Sequence, residues 1–247
     1  MSHHELFTQA KRSIRQNLIH LKHQYKGIQP IHFLHIGKTG GTAFREAAKN
    51  HLVTKKYNIH LHGHNYSLRD VPVGEKAFFF LRDPIDRYVS GFYSRQRKGR
   101  YHNNPWRPDE EVSFKKFESP QALALALASK DEKQYLSAKY AMESIGHVKS
   151  SYWDWFENES YFMSRLPDIF YIGFQETLNQ DFECLKQRLQ LPEPVELPKD
   201  PVKANRSSKA KRAVELSDIE RQALQEWYAD DYAFFNLCKQ LIDSEKI

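Results

Sequence analysis

The residue types that could do chemistry are densest at positions 37–43, which read Gly-Lys-Thr-Gly-Gly-Thr-Ala. The apolar run over residues 31–36 predicts a buried strand before them, and a helical pattern begins at Thr42. Paired glycines let backbone N–H groups converge, and a helix N-terminus adds partial positive charge. Lys38 adds a full charge, and the hydroxyls of Thr39 and Thr42 add donors. The order of strand, turn and helix therefore predicts an anion-binding site.

The spacing of this turn differs from that of a nucleoside triphosphate loop. Such a loop needs a glycine five residues before its Gly-Lys-Thr. Here that position is His32, inside the predicted strand, and Lys38 precedes the paired glycines Gly40 and Gly41. The turn is therefore shorter. A surface turn without a ligand is the alternative interpretation of this segment.

Three alternating histidines, His60, His62 and His64, end a second predicted strand over residues 56–62. In that strand His60 and His62 share one face. A metal site, histidines that only pack, and a catalytic base are the three interpretations. A base is favoured, because histidine titrates near neutrality and ligands of open α/β sheets sit at the carboxyl ends of strands. His64 is the first candidate and His62 the second.

A third predicted strand, over residues 77–81, is followed by Arg82. Asp83 is a natural N-cap for the helix that comes next, and Ser90 lies on that helix away from its apolar stripe. Arg82 and Ser90 could converge on one phosphate, with forked bonds from the guanidinium and a hydroxyl bond from the serine. The alternative for Arg82 is a structural ion pair with Asp86.

The elements around these residues predict an α/β fold: a P-loop-like central parallel sheet flanked by helices, with a helical insertion and a C-terminal helix. An amphipathic helix is predicted within residues 1–29, and a polar loop over 94–108. Aromatic density over 151–166 is interpreted as core. The further predicted elements are helices over 121–128, 131–144, 151–166 and 177–191, a strand over 169–174, and a helix after the N-cap Ser217.

Composition bounds the remaining possibilities. The chain has 247 residues and a formal net charge of +6, which favours an anionic ligand but is not concentrated enough to predict nucleic acid. Its mean hydropathy of −0.72 predicts a soluble protein. Neither a signal core nor a run long enough to cross a bilayer is evident, so a cytoplasmic location is expected. Cys184 and Cys238 match no metal or redox spacing and are expected to be buried apolar residues, with a disulfide as the alternative.

Two segments, in this order, resemble sulfotransferases that use 3′-phosphoadenosine 5′-phosphosulfate (PAPS). Residues 35–42, His-Ile-Gly-Lys-Thr-Gly-Gly-Thr, resemble the 5′-phosphosulfate loop of that family. Residues 80–92 resemble its 3′-phosphate motif, with Arg82 and Ser90 at the characteristic spacing. Between them, His62-Gly63-His64 is similar to the catalytic strand end of the uronyl 2-O-sulfotransferases. The family often has proline where Gly37 stands.

The resemblance implies roles for these residues. Lys38 would hold the bridging oxygen of the departing nucleotide, and Arg82 with Ser90 would bind the 3′-phosphate. His64 would take the proton of the acceptor hydroxyl, with His62 as second candidate or orienting neighbour. Residues 203–212 contain five basic residues and form a predicted basic loop, in which Arg206 or Asn205 would close on a phosphate. The residues that would cradle the 5′-phosphate are Thr39, Gly40, Gly41, Thr42 and Ala43.

The predicted protein is a single sulfotransferase-like domain over residues 1–247, with residues 120–166 on the acceptor side. PAPS is the expected donor and adenosine 3′,5′-bisphosphate (PAP) its product, and no metal is required. An oligo- or polysaccharide acceptor and a bacterial cytoplasmic source are expected. Two rival hypotheses are a nucleoside kinase or triphosphatase on a similar sheet, and a non-catalytic polyanion-binding protein.

Overall fold

A computed structural model describes residues 27–97, 104–200 and 214–247. Four parallel strands form its central sheet in the order β2-β1-β3-β4. The strands are β1 (Gln29–Leu34), β2 (Tyr57–Leu61), β3 (Lys76–Leu81) and β4 (Ile169–Phe174). The predicted α/β fold with a parallel sheet is thereby confirmed. The helix predicted near the N-terminus, and Asn205 and Arg206, lie outside the described residues.

Helices cover the sheet and form a separate layer beside it. Two short 3-10 helices, Leu68–Asp70 and Leu166–Asp168, join the elements. The α-helices are α1 (Gly41–Ala48), α2 (Pro84–Gln96), α3 (Pro108–Lys116), α4 (Pro120–Leu127), α5 (Glu132–Ser144), α6 (Gly146–Lys149), α7 (Trp153–Phe156), α8 (Glu159–Ser164), α9 (Leu178–Leu189), α10 (Asp218–Trp227) and α11 (Ala229–Asp243). Every helix in the described segments is too short or too polar to cross a lipid bilayer.

Strand β3 is buried on both faces, as its uninterrupted apolar sequence predicts. Its alternate residues supply two cores. Phe78 packs with Phe33 of β1 and Phe44 of α1 on one face, and Phe79 packs 4.5 Å from Phe156 on the other. Each fully buried phenylalanine contributes about 1.5–3 kcal/mol. This packing fixes the carboxyl ends of β1, β2 and β3 at one edge of the sheet.

The helical region differs most from the predictions. It begins at Pro108 rather than at residue 120, and α3 and α6 were not predicted. Helix α2 runs on to Gln96, so the loop predicted from residue 94 starts too early. The single C-terminal helix is two helices, α10 and α11, that meet at Tyr228. Cys184 is exposed, so its predicted burial is wrong, whereas Cys238 is buried as predicted.

The prediction of one helix over residues 151–166 is also wrong, because this segment forms two short helices, α7 and α8. Glu157 between them has a φ of +67°, and the Asn158 side chain accepts a hydrogen bond from the Tyr161 N–H at 2.9 Å. A short polar side chain that bonds the backbone in this way competes with helix continuation. The aromatic residues of the segment are core, as interpreted, and three are fully buried: Tyr152, Phe156 and Phe162.

Candidate active site

The turn between β1 and α1 is built from two left-handed residues. Lys38 has a φ of +71° and Gly40 a φ of +95°, a region that costs a side chain roughly 1–2 kcal/mol. Gly41 is needed for another reason: a Cβ there would lie 2.4 Å from Cδ2 of His35. The backbone therefore curls tightly around the start of α1, as an anion site requires.

The donors of this turn are not all free for a ligand. The Thr39 hydroxyl donates to the Ile36 carbonyl at 3.0 Å and is buried, so it faces into the turn. The N–H of Ala43 donates to the Gly40 carbonyl at 2.9 Å and begins the helical pattern. The first backbone N–H groups of α1, ahead of Ala43, are the ones at which an anion can bind. Thr42 is half-buried beside them.

Arg82 follows β3 and reaches the turn from the neighbouring strand. Its Nη1 donates to the Lys38 carbonyl at 3.5 Å, which is a long bond. Its Nε is buried without a hydrogen-bond partner in the described part of the chain. Burial lowers the pKa of Arg82, and Asp86 acts on it only through space, so the alternative ion pair between them is not formed among the described residues. A buried donor without a partner costs free energy, which a bound anion would recover.

Three cationic side chains gather at the turn. Burial, followed by the charges of Arg97 and Arg82, lowers the pKa of Lys38 to about 7. Like charges at this proximity repel one another and attract an anion. Ser90 lies on α2, half-buried, between the buried residues Val89 and Gly91. The structure therefore brings Lys38 and Arg82 together and leaves Ser90 on the adjoining helix.

His64 is oriented by its neighbours. Its Nδ1 lies 2.7 Å from the His35 carbonyl oxygen, which only accepts, so Nδ1 carries the proton and Nε2 is the acceptor. The ring packs 4.1 Å from the ring of His35. Burial lowers the pKa of His64, although the bond to His35 acts in the opposite direction. This is the tautomer that a general base on Nε2 needs.

His62 is fixed in a different arrangement. Its Nε2 lies 2.9 Å from Nδ1 of His32, whose Nε2 lies 2.6 Å from a carboxylate oxygen of Glu75. Tyr66 stacks on the His62 ring at 3.5 Å, and Arg45 donates to the His62 carbonyl at 2.6 Å. Burial, then the charges of His32 and His60, lowers the pKa of His62 to about 4. The geometry suits a residue that orients the segment.

The rings of His32, His60 and His62 form a stack, which we call the histidine ladder. His60 and His62 share one face, as predicted, with ring centroids 6.2 Å apart, and the ring of His32 on the neighbouring strand β1 lies 5.1 Å from each of them. Within residues 27–97, 104–200 and 214–247 no group of three or more histidine, cysteine, aspartate or glutamate side chains is arranged to hold a metal ion.

Two residues at the site were missed by the sequence reasoning. Arg87 of α2 is buried, and its Nε donates to the Gly37 carbonyl at 3.1 Å. Burial, then Lys38 and His64, lowers the pKa of His147 in α6 to about 3. For Arg87 a signal existed, because it stands within two residues of the buried Ile85 and Tyr88. For His147 there was none, since its helix is only four residues long.

The fold and this site define a class: an α/β protein whose turn between a parallel sheet and a helix N-terminus has the geometry and the charge of an anion site. Comparison with known families narrows the class. The sequence pattern of the sulfotransferase family matches residues 22–237, so the chain belongs to the sulfotransferase family. No curated protein and no solved structure matches the chain.

Proposed function

We propose that this protein transfers a sulfuryl group from PAPS to a hydroxyl group of a carbohydrate. One observation carries the donor assignment: Nη1 of Arg82 lies 3.5 Å from the Lys38 carbonyl. A nucleotide with phosphates at both the 3′ and 5′ positions needs two cationic sites side by side. ATP lacks the 3′-phosphate, and a kinase would need a magnesium-binding carboxylate at the strand end where Arg82 stands.

The donor site divides between two elements. Lys38 and the turn residues Thr39 to Ala43 surround the 5′-phosphosulfate, with the first N–H groups of α1 as donors. Arg82 binds the 3′-phosphate through forked, charge-assisted bonds, and Ser90 adds its hydroxyl. The Nε of Arg82, which has no hydrogen-bond partner among the residues that the structure describes, supports this assignment, since the 3′-phosphate would satisfy it. Arg206 remains a predicted further contact.

The chemistry requires one proton acceptor and one cation. His64 Nε2 takes the proton of the acceptor hydroxyl as the hydroxyl oxygen attacks sulfur. The new O–S bond forms while the bond from sulfur to the bridging oxygen breaks, and both electrons of that bond go to the 5′-phosphate. Lys38 stabilises the negative charge that develops on the bridging oxygen. The products are a sulfate ester and PAP.

The carbohydrate acceptor rests on His62-Gly63-His64, which resembles the strand end of the uronyl 2-O-sulfotransferases. The net charge of +6 suits an anionic polysaccharide chain. Transfer of labelled sulfate from PAPS to desulfated uronate-containing glycans tests the acceptor class. Labelling of none of these glycans, with labelling of small phenols instead, would contradict it.

Calorimetry tests the donor. We expect PAP to bind more tightly than magnesium-ATP, and Arg82→Gln to weaken PAP binding about 10- to 100-fold, because a charged hydrogen bond is lost. Adenosine 5′-phosphosulfate, which lacks the 3′-phosphate, should lose much less affinity in the same variant. Arg69→Gln is the matched control, because Arg69 is exposed on the surface. Tighter binding of ATP than of PAP would refute the proposal.

The base is tested by His64→Ala. We expect turnover to fall about 10²- to 10⁴-fold, since general-base catalysis contributes that much, while PAP affinity stays within a few-fold. His60→Ala is the matched control, because it removes a histidine of β2 only four residues before His64, and it should change turnover little. Undiminished turnover in His64→Ala would move the proton-accepting role to His62.

A further inference from the structure

His147 occupies space that two glycines leave open. A Cβ on Gly37 would lie 3.1 Å from Nδ1 of His147, and a Cβ on Gly91 would lie 3.0 Å from its Cβ. Gly37 belongs to the turn that carries Lys38, and Gly91 to helix α2. Neither glycine has a positive φ, so close approach, not backbone conformation, distinguishes them from alanine. The close packing of His147 on both glycines brings helix α6 against the turn that carries Lys38.

His147 also contacts the proposed base. The ring of His64 has two imidazole neighbours: His35 at 4.1 Å, tilted by 36°, and His147 at 5.9 Å, at an angle of 72°. Within the described segments, its hydrogen bond from Nδ1 to the His35 carbonyl fixes one ring atom, so the orientation of the ring also depends on the rings packed against it. An edge-to-face neighbour opposes rotation of the ring through packing.

We infer that His147 is a positioning residue: it holds the His64 ring against His35, so that Nε2 faces the acceptor, and Gly37 and Gly91 make room for it. This inference rests on the proposed role of His64. The charged groups that act on the two rings are Lys38, Arg45, Arg87 and Arg95. Helix α6 thereby contributes a residue to the site, although it lies outside the segments that resemble sulfotransferase motifs.

Two substitutions separate packing from direct chemistry. His147→Ala should lower kcat about 10- to 100-fold, because small misplacements of a catalytic group cost that much, with the KM for PAPS little changed. His147→Phe keeps a ring in the same place without nitrogen atoms, and should restore kcat to within a few-fold. A Phe variant as slow as the Ala variant would overturn the inference, since a nitrogen atom would then be required.

Titration of the His64 ring by NMR needs no substrate, so it distinguishes failure of this inference from failure of the proposed function. The His64→Ala spectrum assigns the His64 signal among the 12 histidines. Because burial lowers the pKa of His64, removal of its neighbour should admit water and raise that pKa in His147→Ala. The Phe variant should titrate like the wild type. An identical His64 titration in His147→Ala and wild type would overturn the inference.

Gly37→Ala tests the same contact from the turn and leaves α6 unchanged in sequence. Its Cβ should displace His147 and lower kcat in the wild-type background. In the His147→Ala background the clash is gone, so the loss on Gly37→Ala should be smaller by about threefold or more. Equal losses in the two backgrounds would show that Gly37 and His147 are not coupled and would overturn the inference.

Discussion

At the scale of single residues, the pKa of Lys38 leads to a prediction about nucleotide binding. Its pKa is lowered to about 7 by burial and by the charges of Arg97 and Arg82. In the free protein the ammonium is therefore cationic below about pH 7 and loses its proton as the pH rises. A bound anion favours the cationic form and raises the pKa of Lys38. Binding of the donor nucleotide must then be coupled to uptake of a proton.

We predict that PAP binding at pH 8 takes up close to one proton and that the Kd rises with pH above about 7, by up to about tenfold per pH unit. Calorimetry in two buffers of different ionisation enthalpy measures the uptake. Lys38→Arg is the control, because arginine stays charged at this pH, and its uptake should vanish. Equal uptake in the wild type and in Lys38→Arg would assign the proton to another group.

Residue chemistry in a local motif could be predicted from the sequence, whereas contacts made by distant segments could not. Lys38, Arg82 and His64 each follow a strand, and parallel strands end at a common edge. The inward turn of the Thr39 hydroxyl was not predicted, because the bond to Ile36 depends on the path of the turn. Arg87 was missed although it stands beside apolar residues of its helix, because its acceptors, the Gly37 and Ser150 carbonyls, are far away in the chain.

At the scale of elements, the strands were predicted to within two residues, because β1, β3 and β4 are short, mainly apolar segments and β2 alternates apolar and polar residues. The N-cap Asp83, whose side chain accepts from the Ile85 N–H at 2.9 Å, and the capping box of Ser217 were likewise local signals. The helical region was predicted less well. Its breaks depend on single side chains, such as Asn158, that bond the backbone.

Helices α2, α3 and α6 are joined by one buried ion pair. Arg95 of α2 donates to both carboxylate oxygens of Glu110 in α3. The same carboxylate accepts from the Gly146 N–H at 2.9 Å, at the start of α6. Burial would raise the pKa of Glu110, but these hydrogen bonds and that from Arg107 outweigh it and lower the pKa to about 2. Glu110 thus holds the helix that carries His147.

We predict that Glu110→Gln lowers the free energy of unfolding at pH 7 by about 3 kcal/mol, because it leaves Arg95 buried without its carboxylate. A lowered carboxylate pKa stabilises the fold above 4.5 and loses that contribution as the pH falls towards 2. Urea unfolding at several pH values should therefore show the two proteins converging in acid. Glu111→Gln, at the exposed neighbouring carboxylate, should cost less than about 1 kcal/mol.

At the scale of the whole molecule, side-chain contacts link the last helix, α11, to the turn that carries Lys38. Asp231 of α11 accepts from the Tyr152 N–H at 2.6 Å and lies 3.7 Å from Nη1 of Arg87. Arg87 in turn holds the Gly37 carbonyl at 3.1 Å. Sequence patterns do not predict such links, because their partners are far apart in the chain. The proposed donor site therefore depends on the C-terminal helix as well as on the motifs.

We predict that Asp231→Ala lowers the free energy of unfolding by about 3 kcal/mol, because it leaves Arg87 buried without its carboxylate. PAP affinity should fall as well, since Arg87 then holds the Gly37 carbonyl less firmly. Urea unfolding and calorimetry measure the two effects. The adjacent Asp230 is exposed and supplies the matched control, Asp230→Ala, which should change neither quantity appreciably. Similar unfolding energies for the two variants would contradict a structural role for the Arg87–Asp231 pair.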